Sequence, residues 1–82
     1  MIMEGKEMLE KMKELIVNYV DVDPEKITEE SRFVEDLGFN SYDFMSLLGE
    51  LEEALGVTVD EQEVLKIHTV DEAISYLESL KG

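Results

Sequence analysis

Apolar side chains spaced by three and four residues govern what this chain can fold into. Met8, Leu9, Met12, Leu15, Ile16, Tyr19 and Val20 recur at that spacing from about Gly5 to Val20, the period of one face of an α-helix. Pro24 sets the limit of that helix: it donates no backbone hydrogen bond and drives Asp23 toward an extended conformation, so the helix stops near Asp21. A second stripe, Phe44, Leu47, Leu48, Leu51, Ala54 and Leu55, predicts a helix from Ser41 to about Leu55, with Gly56 as its C-terminal cap. Asp60 with Glu63 reads as a capping pair opening a short third helix through about Lys66. Thr69 with Glu72 repeats the device ahead of Val70, Ala73, Ile74, Leu77 and Leu80, a fourth helix ending at Gly82.

Between Val22 and Phe39 no helical period is sustained. Ile27, Phe33, Val34 and Leu37 stand among polar residues, and they predict a long, ordered loop held down by those apolar anchors. Connections of this length are uncommon in compact domains and are often functional where they occur. The expected fold is an all-α four-helix bundle with a long loop between helices 1 and 2 and a short third helix, forming a single domain over residues 1–82.

Composition narrows the function. The chain has no cysteine, which removes disulfides, thiolate nucleophiles and Cys-ligated zinc together. A hydrophobic fraction of 44% argues for a packed core, and no apolar run reaches the ~18 residues of a membrane span. The amino terminus lacks a signal-peptide pattern, so a cytoplasmic protein is expected. Seven Lys and Arg against 21 Asp and Glu leave a net charge of −14. That charge repels phosphate backbones and anionic lipids, which excludes nucleic acid and membrane as direct partners and favours basic protein surfaces.

The catalytic inventory is thin. His68 lies just ahead of a helix start with no second metal ligand at helical spacing, and reads as a structural or solvent-facing residue. Asp21, Asp23 and Glu25 alternate like calcium-loop ligands, but Pro24 interrupts them and Lys26 stands where such a loop needs glycine. The remaining acidic residues form no distinguished pair and read as a solvated surface. Neither a catalytic site nor a metal site is expected.

One segment differs in kind. Asp36-Leu37-Gly38-Phe39-Asn40-Ser41-Tyr42-Asp43 brings a glycine turn and a serine to the first residues of a helix. If Asn40 is the N-cap, its side chain accepts a backbone hydrogen bond from the second or third helical residue, and the Ser41 hydroxyl has no structural duty. The partial positive charge of the helix start would then tolerate a phosphate attached to Ser41. The alternative is that Ser41 is itself the cap and carries nothing.

Glu35-Asp36-Leu37-Gly38-Phe39-Asn40-Ser41-Tyr42-Asp43, followed by Leu47, Leu51-Glu52-Glu53 and Lys66-Ile67-His68-Thr69-Val70-Asp71, resembles the acyl carrier protein and peptidyl carrier protein family. The resemblance runs from the first helix through the last and includes the long loop. It implies a carrier without catalysis of its own, whose Ser41 receives 4′-phosphopantetheine from coenzyme A through a phosphopantetheinyl transferase. The arm's thiol would then hold acyl or aminoacyl groups as thioesters. Partners implied are that transferase, a loading ligase and downstream acyl-transfer enzymes, with the carrier itself a monomer. Asn40 where fatty-acid carriers have Asp, Tyr42 for Leu, Ser46 for Glu and Gly49 for an apolar residue depart from the housekeeping pattern and point to a specialised pathway.

At 100° per residue from Ser41, Met45, Gly49 and Glu52 fall near the line through the serine and outside the core stripe. Tyr42, Met45, Glu52 and Glu53 are therefore the expected partner surface, apolar contact beside acidic steering. Phe33, Phe39 and Phe44 either line a shelter for an acyl chain or pack as core. The rival from another class is a small acidic helical interaction module lacking the prosthetic group.

Overall fold

A computed structural model describes residues 5–81, with side chains from Glu7 onward. Its helices are α1 (Gly5–Ile16), α2 (Ser41–Leu55), α3 (Glu61–Val64) and α4 (Val70–Lys81), with a 3-10 turn at Pro24–Lys26. The architecture is the expected all-α arrangement with a long first connection and a short third helix. Met8, Met12 and Ile16 of α1, Leu47, Leu48 and Leu51 of α2, Val64 of α3, and Val70, Ala73, Ile74 and Leu77 of α4 converge on one core. Where α4 ends relative to Gly82 lies outside the described residues.

Helix α1 stops at Ile16, short of the expected Val20. The N–H groups of Asn18 and Tyr19 bond the carbonyls of Leu15 and Ile16 three residues back, so the chain tightens into a 3-10-like turn. Tyr19 and Val20 still pack against the core from that turn, which is why the apolar period outlasts the helix. At the far end of α2, Ala54 is exposed rather than part of the buried stripe, and Leu51 and Leu55 carry the inward face alone. Gly56 caps that helix as expected, at φ +69°.

The long connection is ordered by hydrogen bonds as well as by apolar anchors. Asp23 caps the 3-10 turn by accepting the Glu25 N–H at 2.9 Å, which gives that carboxylate a structural task. Ile27, Phe33 and Leu37 are buried, together with Phe39, but Val34 is 63% exposed and anchors nothing. The reason is a helical turn: the N–H groups of Asp36 and Leu37 both bond the Arg32 carbonyl, so Phe33 and Leu37 share the inner face and Val34 points out. Gly38 at φ +80° closes this turn, with Phe39 N–H on the Phe33 carbonyl and Gly38 N–H on that of Val34. Upstream, the loop is stitched to the segment entering α4. Phe33 N–H donates to the His68 carbonyl at 2.9 Å, Val70 N–H to that of Ser31 at 3.0 Å and Asp71 N–H to that of Glu29 at 2.8 Å.

The two capping pairs behave differently. Thr69 and Glu72 form a reciprocal box: Thr69 Oγ1 accepts the Glu72 N–H at 3.2 Å, and Glu72 Oε1 accepts the N–H groups of Thr69 at 3.0 Å and His68 at 2.9 Å. Asp60 accepts the Gln62 N–H, but its own N–H goes to the Tyr76 hydroxyl and Glu63 turns to Lys66 at 3.7 Å. With half a box, α3 amounts to one turn and ends at Val64 rather than Lys66. None of the described helices is long and apolar enough to cross a membrane.

The cap of α4 makes the fold acid-sensitive. Donation from the His68 and Thr69 amides holds the Glu72 carboxyl below its ordinary 4.5, and the Arg32 guanidinium does the same for Asp36, ordinarily 3.8. Both values are depressed by folding, so the stability they contribute is full above those ordinary values and is lost as pH falls through the folded ones. Glu72→Gln should therefore flatten the acid limb of a plot of melting temperature against pH below about 4.5, measured by circular dichroism.

Candidate functional site at the start of the second helix

Leu37 and Phe39 are buried on either side of the left-handed Gly38, so the chain leaves the core at Asn40 with its direction already set. Asn40 is extended, at φ −98° and ψ 173°, and its Oδ1 accepts the Asp43 N–H at 2.7 Å. The Asn40 carbonyl accepts the Phe44 N–H at 3.0 Å, the first bond of the helix. Asn40 is thus the N-cap, and the alternative that Ser41 performs that task is overturned. Ser41 is the first helical residue and is exposed.

Beneath this turn lies a run of aromatic rings. Phe44, half-buried, sits 4.9 Å from Phe33, which meets Phe39 edge-on at 5.6 Å; Tyr19 is 6.1 Å from Phe39. The Tyr19 hydroxyl donates to Glu50 Oε1 at 2.7 Å, returning the run to the middle of α2. Because that carboxylate accepts its hydrogen bond, the Tyr19 phenol is pushed up to about 12 and keeps its proton. Asp36, just ahead of Gly38, is gripped by Arg32 through the backbone N–H at 2.8 Å, Nε at 3.1 Å and Nη2 at 3.2 Å. Neither the Tyr19–Glu50 bond nor this grip was anticipated. The first joins residues 31 apart and leaves no local trace, whereas the i,i+4 spacing of Arg32 and Asp36 is a legible signal.

A phosphodiester on the Ser41 oxygen fits these surroundings. Among the described residues the hydroxyl takes part in no hydrogen bond, the side chain faces solvent, and the start of a helix of 15 residues favours negative charge.

Residues 10–77 match the family model described as the phosphopantetheine attachment site. The chain is 41% identical over 70 residues to the acyl carrier protein of Wolinella succinogenes, covering 85% of this chain and 92% of that one. The chain belongs to the acyl carrier protein family. Among solved structures, the acyl carrier protein of Enterococcus faecalis superposes with a TM-score of 0.80 at 29% identity, over 95% of this chain and 99% of that one. A putative acyl carrier protein of Mycobacterium tuberculosis gives a TM-score of 0.79 at 26% identity, over 88% of this chain and 96% of that one. The prosthetic group of the family is phosphopantetheine.

On this carrier, Tyr42 is 80% and Met45 38% exposed, and Glu53 is open to solvent. Glu52 is half-buried, and its Oε2 accepts the Val59 N–H at 3.1 Å, so it braces the α2–α3 connection from the edge of the same face. His68 is exposed, and its backbone serves the loop pairing and the α4 cap. A Cβ built on Gly49 meets nothing within 4 Å. No close approach among the described residues therefore requires that glycine.

Two stability measurements check this assignment. Asn40→Ala should cost ~1 kcal/mol in urea unfolding, whereas Ser41→Ala should change it by less than about half that. Gly49→Ala, with open space for its methyl group and an ordinary helical backbone, should stabilise the carrier by up to about 1 kcal/mol in the same assay.

Proposed function

We propose that Ser41 is the attachment residue, receiving 4′-phosphopantetheine from coenzyme A through a phosphopantetheinyl transferase, and that the carrier serves a specialised pathway as a cytoplasmic monomer. The observation that carries this reading is the division of labour at the helix start: Asn40 supplies the cap, leaving an exposed serine oxygen with no partner among the described residues. No described carboxylate, imidazole or amine is hydrogen-bonded to that hydroxyl, so the base that takes its proton belongs to the transferase. Once attached, the arm supplies the thiol that this cysteine-free chain lacks.

The chain's own residues then hold, present and dock. Gly38, Phe39 and Asn40 fix the position of Ser41, and tethering gives the cargo a high effective concentration at whichever enzyme is docked. Tyr42 and Met45 supply apolar contact beside the serine, with Glu53 and the outer edge of Glu52 steering basic surfaces toward it. The partners of this surface are the transferase, a loading ligase for acyl or aminoacyl groups, and the acyl-transfer enzymes downstream. Each must approach the start of α2, because the cargo leaves from there.

Intact mass measurement after incubation with coenzyme A and a broad-specificity transferase tests the attachment. The parental chain should gain one phosphopantetheine, and Ser41→Ala none while still folding. Absence of any gain in the parental chain would favour the interaction module that keeps the fold without the arm. In the same assay, Glu53→Lys should slow modification through association, by up to about tenfold at low salt and less at high salt.

A further inference from the structure

Acyl groups differ most in the apolar surface they add to the arm. Each methylene left in water is unfavourable, so a carrier of long alkyl chains gains from an apolar recess beside its attachment point. Along α2 the place nearest Ser41 for such a recess is the inner side of its first two turns, where Phe44 and Leu48 lie three and seven residues beyond the serine. That place is filled with rings. Phe44 lies against Phe33 at 4.9 Å with the planes tilted by 49°, and Phe33 against Phe39 at 5.6 Å and 88°. These are separations of rings in van der Waals contact. Phe33 and Phe39 are each only 2% exposed, and Leu48 is 1%.

The packing is also tied off. Phe39 meets Tyr19, and the Tyr19 hydroxyl is bound to Glu50 of α2, so moving Phe44 inward disturbs Phe33, Phe39 and a hydrogen bond on the same helix. A core packed in this way resists the insertion of further methylenes. Two surface hollows of the described residues lie away from this place. One is lined by Glu10, Lys13, Glu14 and Glu25 with Val17 and Pro24, the other includes Asp21, Asp23, Lys26 and Asp36, and neither touches α2.

We propose that Phe44, backed by Phe33 and Phe39, closes the core to the cargo, so that this carrier takes acyl groups with little apolar surface, short-chain or polar acyl and aminoacyl groups that stay in solvent. The proposal rests on the carrier reading of Ser41, and its test separates the two.

The parental chain, Phe44→Ala and Phe44→Leu are loaded from acetyl-, butyryl- and octanoyl-coenzyme A by a broad-specificity transferase, with loading verified by intact mass. Thioester cleavage by hydroxylamine is then timed, relative to the same acyl-coenzyme A free in solution, and each loaded form is melted. On the parental chain the three relative rates should agree within about twofold, with melting temperatures independent of chain length, because no methylene is buried. In Phe44→Ala the octanoyl form should be cleaved about fivefold more slowly than the acetyl form, as the vacated space takes up the chain. Phe44→Leu supplies the same comparison should the alanine variant not fold. Protection of the octanoyl thioester on the parental chain, or a melting temperature that climbs with chain length there, overturns the proposal. Equal rates on the parental chain and on every folded variant overturn the role given to Phe44. No mass gain from any coenzyme A overturns the carrier reading beneath it.

Discussion

Residues 17–40 must find partners for their backbone N–H and carbonyl groups without the help of a long helix, and the way they do so determines where Ser41 stands. Buried amides left unpaired would cost more than any surface contact returns. The pairing of Phe33 with His68 and of Ser31 with Val70 fixes the middle of the connection to the entrance of α4. That entrance is itself held by the Thr69–Glu72 box, so a cap on the last helix supports a site on the second. From Phe33 onward the geometry is local: one helical turn, a left-handed glycine, a buried phenylalanine and an asparagine cap. Each step fixes the next, and the serine at the end is positioned with its hydroxyl in no hydrogen bond among the described residues.

The charge distribution suits this arrangement. The described ion pairs lie at the surface and close in sequence, Glu10 with the half-buried Lys13, Arg32 with Glu35 and Asp36, and Glu63–Lys66, and pairs of that type contribute little to stability. Most acidic side chains thus remain available to the long-range field, which raises encounter rates with basic surfaces at some cost in self-repulsion. Several carboxylates nevertheless have structural tasks. Glu72 and Asp60 cap helices, Asp36 grips Arg32, Glu50 holds Tyr19 and Glu52 braces the Val59 amide. The acidity of this chain is therefore not a uniform coat, and Glu52, at the edge of the proposed docking face, also serves the fold.

What the sequence revealed and what it hid divide along the range of the interactions. The Asn40 cap, the Gly56 cap and the Thr69–Glu72 box each depend on residues within a few positions of one another, and all three stand as read. The family motif around Ser41 was legible for the same reason. Val34 was misplaced because its environment depends on a single helical turn closed by Gly38, which is too short to show a period. The end of α1 was misplaced because Tyr19 and Val20 remain apolar and core-facing after the helical hydrogen bonds have ceased. Ala54 keeps the spacing of the stripe, yet it is left in solvent in the last turn of α2. The loop-to-α4 pairing and the Tyr19–Glu50 bond join residues more than 30 positions apart, and no single-chain pattern records them.

The separation of Asn40 from Ser41 has a consequence for the modified protein. A hydroxyl that served as the cap would have to accept the Asp43 amide proton, and esterification would turn it into a bridging phosphoester oxygen, a poorer acceptor fixed in its rotamer by the attached group. Unmodified and modified chains would then differ in the stability of α2. Here the Asp43 amide is held by an amide side chain that a modification of Ser41 would not alter, and a negative charge added there would fall at the helix end where the backbone favours it. A group attached at Ser41 would therefore come and go on a scaffold that stays the same, which suits a carrier that presents one surface to successive enzymes.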